Sequence, residues 1–331
     1  MKPATANLVL PLQDQRLIAV LQYDARLSAE SAAEILGLSP VTVRRRWQAM
    51  TAEGILRVVI SPIARPREGV GLSGAQMLHI RVRHDKVDAV ARSLAARDDV
   101  PFVDITTSGD EIVAMAATEP GSRDPLVFRQ LPATPAVISV ETAIVLHVLR
   151  VTSEWRHQVL SAEEIKALSL GGERTGPPAT DGPYGLEVDP LEHAIIEALT
   201  PDARLPAATV AARTGLPEST VRRRITRLSE AGRLVTQVLV DPRRLGLQID
   251  AVLKLRVSPD WLDRAGRVLA EHPAVHGAFA TSGPYNLSLH VWLPDPTALY
   301  RFISHEVSGL GVASVETTVI SHSAKRPWPP T

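Results

Sequence analysis

The sequence predicts an α+β protein: a winged-helix-like helix-turn-helix followed by a ferredoxin-like βαββαβ domain, with the pair repeated twice. Three apolar helical segments with a Gly-Leu turn, within residues 14–53, are typical of a helix-turn-helix. From Gln76 to Val148 the hydrophobic pattern follows the order strand, helix, strand, strand, helix, strand. Both patterns then return in the same order, and Gly215-Leu216 repeats Gly37-Leu38 178 positions later.

The first helix-turn-helix is predicted over residues 8–60. Ser28 is placed to cap its second helix, and Gly37 ends that helix because glycine readily adopts the left-handed conformation. Ser39 is placed to cap the third helix, and Pro40 suits the first turn, where a missing N–H group costs nothing. This third helix is the expected recognition helix, which enters the major groove of DNA.

An arginine triplet lies on the third helix. Val43 and Trp47 are four residues apart and mark the side that packs inward. At about 100° per residue, Arg45 then points away from the core, with Arg44 and Arg46 on its two flanks. Guanidinium groups suit both phosphates and guanine edges. A solvated helix face is the alternative, but the triplet recurs in the second half in the same context, which favours double-stranded DNA as the partner.

The second half of the chain repeats the order of domains. A helix-turn-helix is predicted over residues 189–240, after a linker at residues 161–188 that begins with a helical fragment and becomes rich in Gly and Pro. The βαββαβ domains are predicted over residues 74–150 and 249–322, each with a tight turn between its second and third strands. The repeat is too long for a solenoid, so we interpret the chain as a two-domain protein duplicated end to end.

Composition limits the possible functions. The formal net charge is zero, so affinity for nucleic acid must come from local clusters of arginine. The chain has no cysteine, which excludes disulfides, thiolate metal sites and cysteine nucleophiles. No apolar segment approaches the ~18 residues of a membrane helix, and residues 1–15 do not resemble an export signal. We therefore expect no membrane partner and a cytoplasmic, nucleoid-associated protein.

Histidines are the candidates for a metal site, and the chain has ten of them. His276 and His290 fall on neighbouring predicted strands and are expected to approach one another. The sequence has no HExxH helix and no cysteine as a co-ligand, so strand or surface histidines are the better interpretation. Glycine-rich phosphate loops and a Gly-x-Ser-x-Gly elbow are also missing. We predict no metal, no cofactor and no enzymatic activity.

In its repeated helix-turn-helix and βαββαβ segments, the chain resembles the Lrp/AsnC family of bacterial and archaeal transcription regulators, as two copies fused in one polypeptide. The family's helix-turn-helix has an Asp-x-Arg turn, then Gly-Leu-Ser and Val-x-Arg-Arg, and residues 14–57 and 192–235 are similar to it. The family's other half is a βαββαβ effector-binding and oligomerisation domain with a Gly-x-Tyr-Asp turn. Gly283-Pro284-Tyr285-Asn286 is similar to that turn, whereas Gly109-Asp110-Glu111-Ile112 keeps only its glycine.

The resemblance implies a small-molecule effector, an amino acid or related metabolite, and association into a homo-oligomer. Because the first turn has lost Tyr and Asp, we expect one degenerate pocket and one working pocket. The alternative is a plain β-turn, in which Gly and Asn are common anyway. The implied effector residues are Ser282, Gly283, Pro284, Tyr285 and Asn286, with Ser108 and Gly109 in the first copy.

Since one chain carries both halves, we expect a single-chain pseudo-dimer that reads an imperfect palindrome with half-sites about one helical turn apart. Pro217 replaces the capping Ser in the second recognition helix, and Glu218 places a carboxylate near a phosphate position, so unequal half-sites are expected. Phosphate contacts are predicted for Arg44, Arg46, Arg222 and Arg224. Base contacts are predicted for Thr42, Arg45, Gln48, Ser219, Arg223 and Thr226, with Ser39, Pro40, Thr220 and Arg227 beside them.

Two alternative functions share these domains. Siroheme decarboxylases are built from similar helix-turn-helix and βαββαβ units and do not bind DNA, and Pro284-Tyr285-Asn286 is faintly similar to one of their segments. The arginine triplets favour DNA instead, and the sequence has no His- and Arg-rich loop for a tetrapyrrole carboxylate. The third function is an effector-independent nucleoid protein, which would bind DNA with weak sequence preference.

Overall fold

The structure is a computed structural model in which the chain divides into two compact units, Met1–Arg65 with Ser153–Gly246, and Pro66–Thr152 with Leu247–Thr331. Residues 172–188 of the predicted linker lie outside the described residues. The domain bounds expected from the sequence stay predictions. The described residues are 9–60, 75–97, 99–116, 126–171, 189–231, 234 and 236–326.

The described elements follow the same order in each half of the chain. The first half contains α1 (Leu12–Tyr23), α2 (Ala29–Leu36), α3 (Pro40–Ala52), β1 (Arg57–Ile60), β2 (Gln76–Val82), α4 (Val87–Ala95), β3 (Phe102–Thr106), β4 (Glu111–Ala116), β5 (Val137–Arg150) and α5 (Ala162–Gly171). The second half contains α6 (Pro190–Leu199), α7 (Ala207–Thr214), α8 (Glu218–Glu230), β6 (Thr236–Leu239), β7 (Ile249–Val257), α9 (Leu262–Glu271), β8 (Val275–Thr281), β9 (Leu287–Leu293), α10 (Pro296–Arg301) and β10 (Val312–Lys325). A π turn precedes the last strand of each half, at Leu126–Gln130 and Phe302–Glu306. This order confirms the predicted fold class.

The first unit holds two helix-turn-helix modules, each with a small apolar core. Leu17 and Ile18 of α1 and Val43 of α3 are fully buried in the first module. Ile195 of α6 and Val221 of α8 are fully buried in the second. Each such side chain contributes about 1.5–3 kcal/mol when removed from water. None of the described helices is long and apolar enough to cross a membrane.

The strands that leave the two modules, β1 and β6, pair with each other in antiparallel orientation. Arg57 lies opposite Leu239 and Ile60 lies opposite Thr236, so that Val59 faces Gln237. Val59 and Gln237 occupy the same position in the two copies, 178 residues apart. The pairing is therefore symmetric about this point, as expected for a two-fold contact between copies.

The residues after β5 pack against the first module. The buried Trp155 ring stacks on His157, and the His157 N–H group donates to the side-chain oxygen of Gln22, 2.8 Å away. Arg16 of α1 forms an ion pair with Glu164 of α5. The helical fragment at the start of the predicted linker thus belongs to the first unit.

The second unit is a closed antiparallel sheet of eight strands in the order β10-β3-β4-β2-β5-β8-β9-β7. Each βαββαβ copy supplies four of these strands, and β5–β8 and β10–β3 are the pairs that join the copies. One core lies beneath α4, where Ala91 and Leu94 pack with strand residues such as Ile80. A second core lies beneath α9, where Leu269 packs with Leu253 and its neighbours.

The last strand of each copy extends onto the other copy. At the end of β5, Arg150 donates to the carbonyl oxygens of Ala270 (2.6 Å) and His272 (3.0 Å), beside the end of α9. At the end of β10, Lys325 donates to the carbonyl oxygen of Arg97, beside the end of α4. A cation at a helix C-terminus is favourable because it complements the helix dipole and the free carbonyl groups.

A buried ionic cluster also joins the two copies. The guanidinium of Arg326, which follows β10, donates to both carboxylate oxygens of Asp104, each 2.9 Å away. The same group lies 2.6 Å from an Asp250 oxygen. The side chain of Arg326 is only 9% exposed. Since Asp104 belongs to the first copy and Asp250 to the second, Arg326 pairs with one carboxylate from each.

Two buried histidines lie beside this cluster. The Nε2 atom of His276 is 3.9 Å from an Asp250 oxygen, and the ring centroids of His276 and His290 are 5.9 Å apart. Burial lowers the pKa of His290 to about 3, and the neighbouring His276 and Arg326 act in the same direction. Burial also lowers the pKa of His276. Both rings are therefore neutral at neutral pH.

Replacing Arg326 with Met should lower the free energy of unfolding by about 3–5 kcal/mol, because two buried carboxylates then lack a counter-charge. Urea denaturation followed by circular dichroism measures this change. The control is Arg264→Met, which removes an exposed arginine of α9. A loss for Arg326→Met no larger than that of the control would contradict the role given to this cluster.

Stability should depend on pH through the buried histidines. Their pKa values are lower in the folded state, so below about pH 6.5 the unfolded chain binds protons first. The free energy of unfolding should then fall toward pH 4, by up to about 1.4 kcal/mol per pH unit for each histidine. His290→Phe should remove one histidine's share of this slope, and His322→Asn, at an exposed position, is the variant it is compared with. Urea denaturation at several pH values checks this, and equal slopes for wild type and His290→Phe would refute it.

Candidate DNA interface and effector turns

The recognition helices α3 and α8 begin differently. The hydroxyl of Ser39 accepts the N–H group of Thr42 at 3.1 Å and caps α3, which confirms the capping role predicted for it. Pro217 precedes α8 and provides no side-chain cap. An N-terminal cap contributes about 1 kcal/mol, so the first turn of α8 is the less stable of the two.

The arginine triplet of α3 is divided between the fold and the surface. Arg46 donates to the carboxylate of Asp14 (2.8 Å) and to the side-chain oxygen of Gln13 (2.6 Å), both on α1. Arg45 is exposed and has no hydrogen-bond or ion-pair partner among the residues that the structure describes. Arg45 therefore presents a free guanidinium at the centre of the outer face of α3.

The triplet of α8 is divided in the same way. Arg224 pairs with Asp189, the cap of α6, and lies 3.6 Å from the carboxylate of Glu192, which is 2% exposed. Arg223, the counterpart of Arg45, is exposed and likewise has no partner within the described parts of the chain. Each triplet thus presents one guanidinium without a described partner, at equivalent positions.

The phosphate contacts predicted for Arg46 and Arg224 stay predictions, and the structure gives both side chains an intramolecular role. Their side chains are only 26% and 18% exposed, and both are paired with carboxylates on the first helix of their module. Successive side chains on an α-helix are rotated by about 100°. The arginine that follows the outward-facing one therefore points toward the first helix of its module. Arg46 and Arg224 therefore hold the recognition helix in place and do not reach out from it.

The outer flank of each triplet carries a weaker ion pair. Arg44 pairs with Glu30 of α2, and both side chains are at least half exposed. Arg222 pairs with Glu218 one turn earlier on α8, also at the surface. Exposed pairs of this kind contribute about 0–1 kcal/mol. Either arginine can therefore exchange its carboxylate for a phosphate at little cost.

The other residues predicted to contact DNA lie around these arginines. The hydroxyl groups of Ser39 and Thr42 are 2.8 Å apart, and the Thr226 hydroxyl donates to the Arg222 carbonyl at 3.2 Å. Arg227 is exposed and pairs with Glu192. The exposed members are Ser39, Gln48, Ser219, Thr226 and Arg227, and the half-buried members are Pro40, Thr42 and Thr220.

The two modules exchange a pair of equivalent arginines. Arg26 donates to the carbonyl oxygen of Ala203, and Arg204 donates to the carbonyl oxygen of Ala25. The guanidinium of Arg204 also lies 3.6 Å from the ring centroid of Trp47, on the recognition helix of the other module. This reciprocal contact connects each module to the turn after the first helix of the other.

The contact depends on a charged group that is largely buried. Burial lowers the pKa of Arg204 to about 10, and Arg26 acts in the same direction, so the guanidinium stays charged at neutral pH. Its hydrogen bond and its contact with the Trp47 ring are then both strengthened by the charge. A sequence signal for this contact exists in the Asp-Ala-Arg-Leu motif repeated at residues 24–27 and 202–205, but the motif alone does not reveal its partner.

The side chains of the second candidate effector turn mainly hold the fold. The Ser282 hydroxyl accepts the N–H group of Ile144 at 2.8 Å. The Asn286 side-chain amide accepts the N–H group of Val257 and donates to its carbonyl oxygen, both at 2.9 Å. Gly283 has a φ of 95°, which favours glycine. These contacts give Ser282 and Asn286 structural roles, and their effector role stays a prediction.

Tyr285 in this turn lies beside a charged cluster. The Nζ atom of Lys254 is 5.2 Å from the centroid of the Tyr285 ring. Lys254 also pairs with Glu141 (3.2 Å) and Glu316 (2.7 Å), one from the last strand of each copy. Tyr285 therefore contacts a cation that joins the two βαββαβ copies.

The first candidate turn is simpler. The Ser108 hydroxyl donates to the Asp110 carboxylate at 2.6 Å, and Gly109 has a φ of 74°. These are contacts of a tight turn, and an effector role for Ser108 and Gly109 stays a prediction. Within the described stretches of the chain, no group of three or more His, Asp or Glu side chains is arranged to hold a metal ion.

Two family models match the chain. The AsnC-type helix-turn-helix domain matches residues 13–51 and again residues 188–229. The Lrp/AsnC ligand binding domain matches residues 250–328. The double match in the first model agrees with the tandem duplication expected from the sequence.

Single-copy regulators are similar to one half of the chain. The HTH-type transcriptional regulator LrpA1 of Halobacterium salinarum is 30% identical over 142 residues, which are 42% of this chain and 100% of that protein. The HTH-type transcriptional regulator LrpA of Pyrococcus horikoshii is 26% identical over 140 residues, which are 42% of this chain and 99% of that protein. Each relative corresponds to one copy of the repeat.

Solved structures of one protein are similar over nearly the whole chain. The crystal structure of the siroheme decarboxylase NirDL has a TM-score of 0.56 and 16% sequence identity, and it covers 95% of this chain and 92% of that chain. At this identity the similarity is one of fold. The helix-turn-helix modules, the ligand-binding domain match and the relatives together show that the chain belongs to the Lrp/AsnC family of transcription regulators.

Proposed function

We propose that this regulator binds DNA sequence-specifically as a single-chain pseudo-dimer, which reads an imperfect palindrome with half-sites about one helical turn apart. One observation carries the proposal: Arg45 and Arg223 are free, exposed and equivalent, in modules joined by a two-fold strand pair. Such a pair of modules presents its recognition helices in opposite directions, which matches the symmetry of a palindrome.

The arginines differ in their proposed contacts. Arg45 and Arg223 reach base edges, because a free guanidinium can bind guanine through two parallel hydrogen bonds. Arg44 and Arg222 contact phosphates after exchanging their surface carboxylates. Arg227 contacts a phosphate after releasing the buried Glu192, which still has Arg224 3.6 Å away. Sequence preference then arises mainly at one position in each half-site.

The two half-sites differ in affinity. The first recognition helix has its N-terminal cap, whereas the second begins at Pro217 and carries Glu218 in its first turn. A carboxylate at this place repels a nearby phosphate, which weakens the second half-site. We therefore expect a palindrome whose first half is more strongly specified than its second.

We also propose that a small effector, an amino acid or related metabolite, acts through the βαββαβ unit and that chains associate into homo-oligomers. The match to a ligand binding domain supports the first part. Residues 282–286 remain the proposed effector turn, with the side chain of Tyr285 as its main ligand contact. An effector shifts the equilibrium only by binding two states of the protein with different affinity.

Enzymatic activity is not part of the proposal. The similarity to NirDL concerns the fold, and the free arginines at equivalent places on two recognition helices favour DNA. Selection of bound duplexes from a random pool tests the proposal. Enrichment of a two-half-site sequence is expected, whereas binding without enrichment would favour the nucleoid alternative. Absence of DNA binding, with a shifted siroheme absorption spectrum on mixing, would favour the enzyme.

Arg45→Ala should weaken binding to the selected duplex by about 1–3 kcal/mol, because it removes a bidentate contact to a base. Fluorescence anisotropy titration of the selected duplex and a scrambled duplex at one salt concentration measures both affinities. The loss should be larger for the selected duplex. Arg223→Ala should also weaken binding to the selected duplex. Arg264→Ala, remote from both recognition helices in sequence, should leave both affinities unchanged. An equal loss for both duplexes would contradict base contact by Arg45.

Arg204→Ala should loosen the two-fold contact between the modules, because it removes the guanidinium that packs on Trp47 and donates to Ala25. The expected result is a weaker preference for half-site spacing, by about 1–2 kcal/mol. Anisotropy titrations with duplexes whose half-sites are moved apart by half a turn measure this preference. Arg26→Ala, the equivalent variant, should give the same result, and an unchanged spacing preference in both would refute this role.

A further inference from the structure

The two junctions between the βαββαβ copies have the same register. In one junction β5 pairs with β8, and Val148 lies opposite Phe279. In the other junction β10 pairs with β3, and Ser323 lies opposite Asp104. Ser323 follows Val148 by 175 positions, and Phe279 follows Asp104 by the same number. The two junctions can therefore be compared residue by residue.

The junction of β5 with β8 is apolar at this point. Val148 and Phe279 are each 7% exposed. Val151, the first residue after β5, is buried as well. Two apolar side chains that face each other across antiparallel strands stabilise the pair without a polar partner. Both copies thus contribute apolar surface to this junction.

The junction of β10 with β3 is polar at the same point. The Ser323 hydroxyl donates to the Asp104 carboxylate at 2.5 Å, and Arg326 donates to both oxygens of that carboxylate. Asp104 is only 2% exposed. Arg326 is the counterpart of Val151, again 175 positions later. The buried carboxylate is tolerated because a hydroxyl donor and an opposite charge contact it.

Polar and apolar residues are distributed crosswise between the two copies. The first copy carries the buried acid, Asp104, but the end of its own last strand is apolar. The second copy carries the donors, Ser323 and Arg326, but has Phe279 at the position of the acid. Each copy therefore complements the other copy and does not complement itself.

Pairing of two identical copies from different chains would lose this complementarity. Two first copies in the same register would place Asp104 opposite Val148, with Val151 where Arg326 now lies. The buried carboxylate would then be without its hydroxyl donor and its guanidinium. Two second copies would place the serine hydroxyl opposite Phe279 and would deprive Arg326 of one of its two carboxylates. Removing the partner of a buried charge is strongly destabilising.

A difference in side-chain size acts in the same direction. A Cβ atom at Gly266 of α9 would lie 2.7 Å from Cδ1 of Leu149, near the end of β5. The counterpart of Gly266 on α4 is Ala91, and the counterpart of Leu149 on β10 is Ala324. A pair of first copies would thus bring Leu149 onto an alanine. Because the end of a leucine side chain shifts readily, this contribution is smaller than that of the charges.

We propose that each βαββαβ copy is specific for the other, so that the second unit assembles from one first copy and one second copy. Asp104 and Phe279 determine this choice, together with the end of the last strand that each of them faces. A chain satisfies the requirement by pairing its own two copies. The proposal concerns the second unit alone and does not depend on DNA binding.

Exchanging the two residues that determine the choice tests the proposal. The exchanged variant carries Asp104→Phe together with Phe279→Asp and keeps the composition of the chain. Each copy now complements itself, because the new phenylalanine suits Val148 and the new aspartate suits Ser323 and Arg326. Both junctions within a chain are then mismatched. Pairing should therefore move to contacts between identical copies of different chains.

Pairs of engineered cysteines report which copies are paired, because the chain has no cysteine of its own. His147→Cys with Ala280→Cys places one cysteine on each side of the β5–β8 junction. His147→Cys with Ile105→Cys lies on β5 and β3, which are not neighbours in the described sheet. Since Ile105 is the counterpart of Ala280, this second pair is close only where two first copies meet.

The chains are unfolded in urea, refolded and treated with a short bismaleimide, and denaturing gel electrophoresis separates links within one chain from links between two chains. Without the exchange, the 147/280 pair should link within single chains, and the 147/105 pair should give no link. In the exchanged variant, the first link should fall by about tenfold or more, and the second should appear between chains.

A fully exchanged chain is the matched control. It adds Val148→Ser, Val151→Arg, Ser323→Val and Arg326→Val to the exchanged variant, so that each copy complements the other again. The 147/280 link within single chains should then return. Circular dichroism shows whether each variant is folded.

An exchanged variant that is folded and keeps the 147/280 link at the level of the unexchanged chain would overturn the proposal. If the exchanged variant does not fold, the fully exchanged chain decides. Recovery of folding and of the link supports the proposal, and failure to recover them overturns it. Because these experiments contain no DNA, a failure to select a DNA sequence would leave their outcome unaffected.

Discussion

The pairing of β1 with β6 is the contact that relates the two helix-turn-helix modules to each other. It brings Val59 opposite its own counterpart Gln237, and so gives two modules of one chain the symmetry of a dimer. Arg26 and Arg204 strengthen the same symmetry by exchanging hydrogen bonds between the turns of the two modules. In the proposed single-chain pseudo-dimer, no second chain is needed to bring the recognition helices together. It also allows the two helices to differ, which separate identical chains cannot do.

The arginines of each recognition helix have different roles because their side chains point in different directions. On each recognition helix the middle arginine faces outward, while the third turns back toward the first helix of its module. Arg46 and Arg224 consequently pair with Asp14 and Asp189, and within the two triplets only Arg45 and its counterpart have no partner among the described residues. In the second unit, the strand pairs β5–β8 and β10–β3 join the copies in a similar reciprocal way, and the buried Arg326 adds a contact from the second copy alone. The strand contacts between the copies are thus equivalent, whereas the starts of the two recognition helices differ.

Much of this fold can be predicted from the sequence, because its signals are local. The cap at Ser39 and the left-handed Gly37 are set by residues within one or two turns, and the structure has them as predicted. The partners of Arg46 and Arg326 could not be predicted, since their carboxylates lie far away in the sequence. The hydrogen bond between Asn286 and Val257 could not be predicted either, because an amide side chain in a turn can bind a ligand or a neighbouring strand equally well. Sequence patterns thus identify the helix that carries a site better than the side chains that remain free in it.

The central claim is that one chain places both recognition helices on one duplex. Hydroxyl-radical footprinting on the selected duplex, with native mass spectrometry of the same complex, tests it most directly. Two protected segments about one helical turn apart are expected, on a complex that contains one chain per palindrome or a whole number of such units. A single protected half-site for each bound chain, with two chains needed to protect the palindrome, would contradict it.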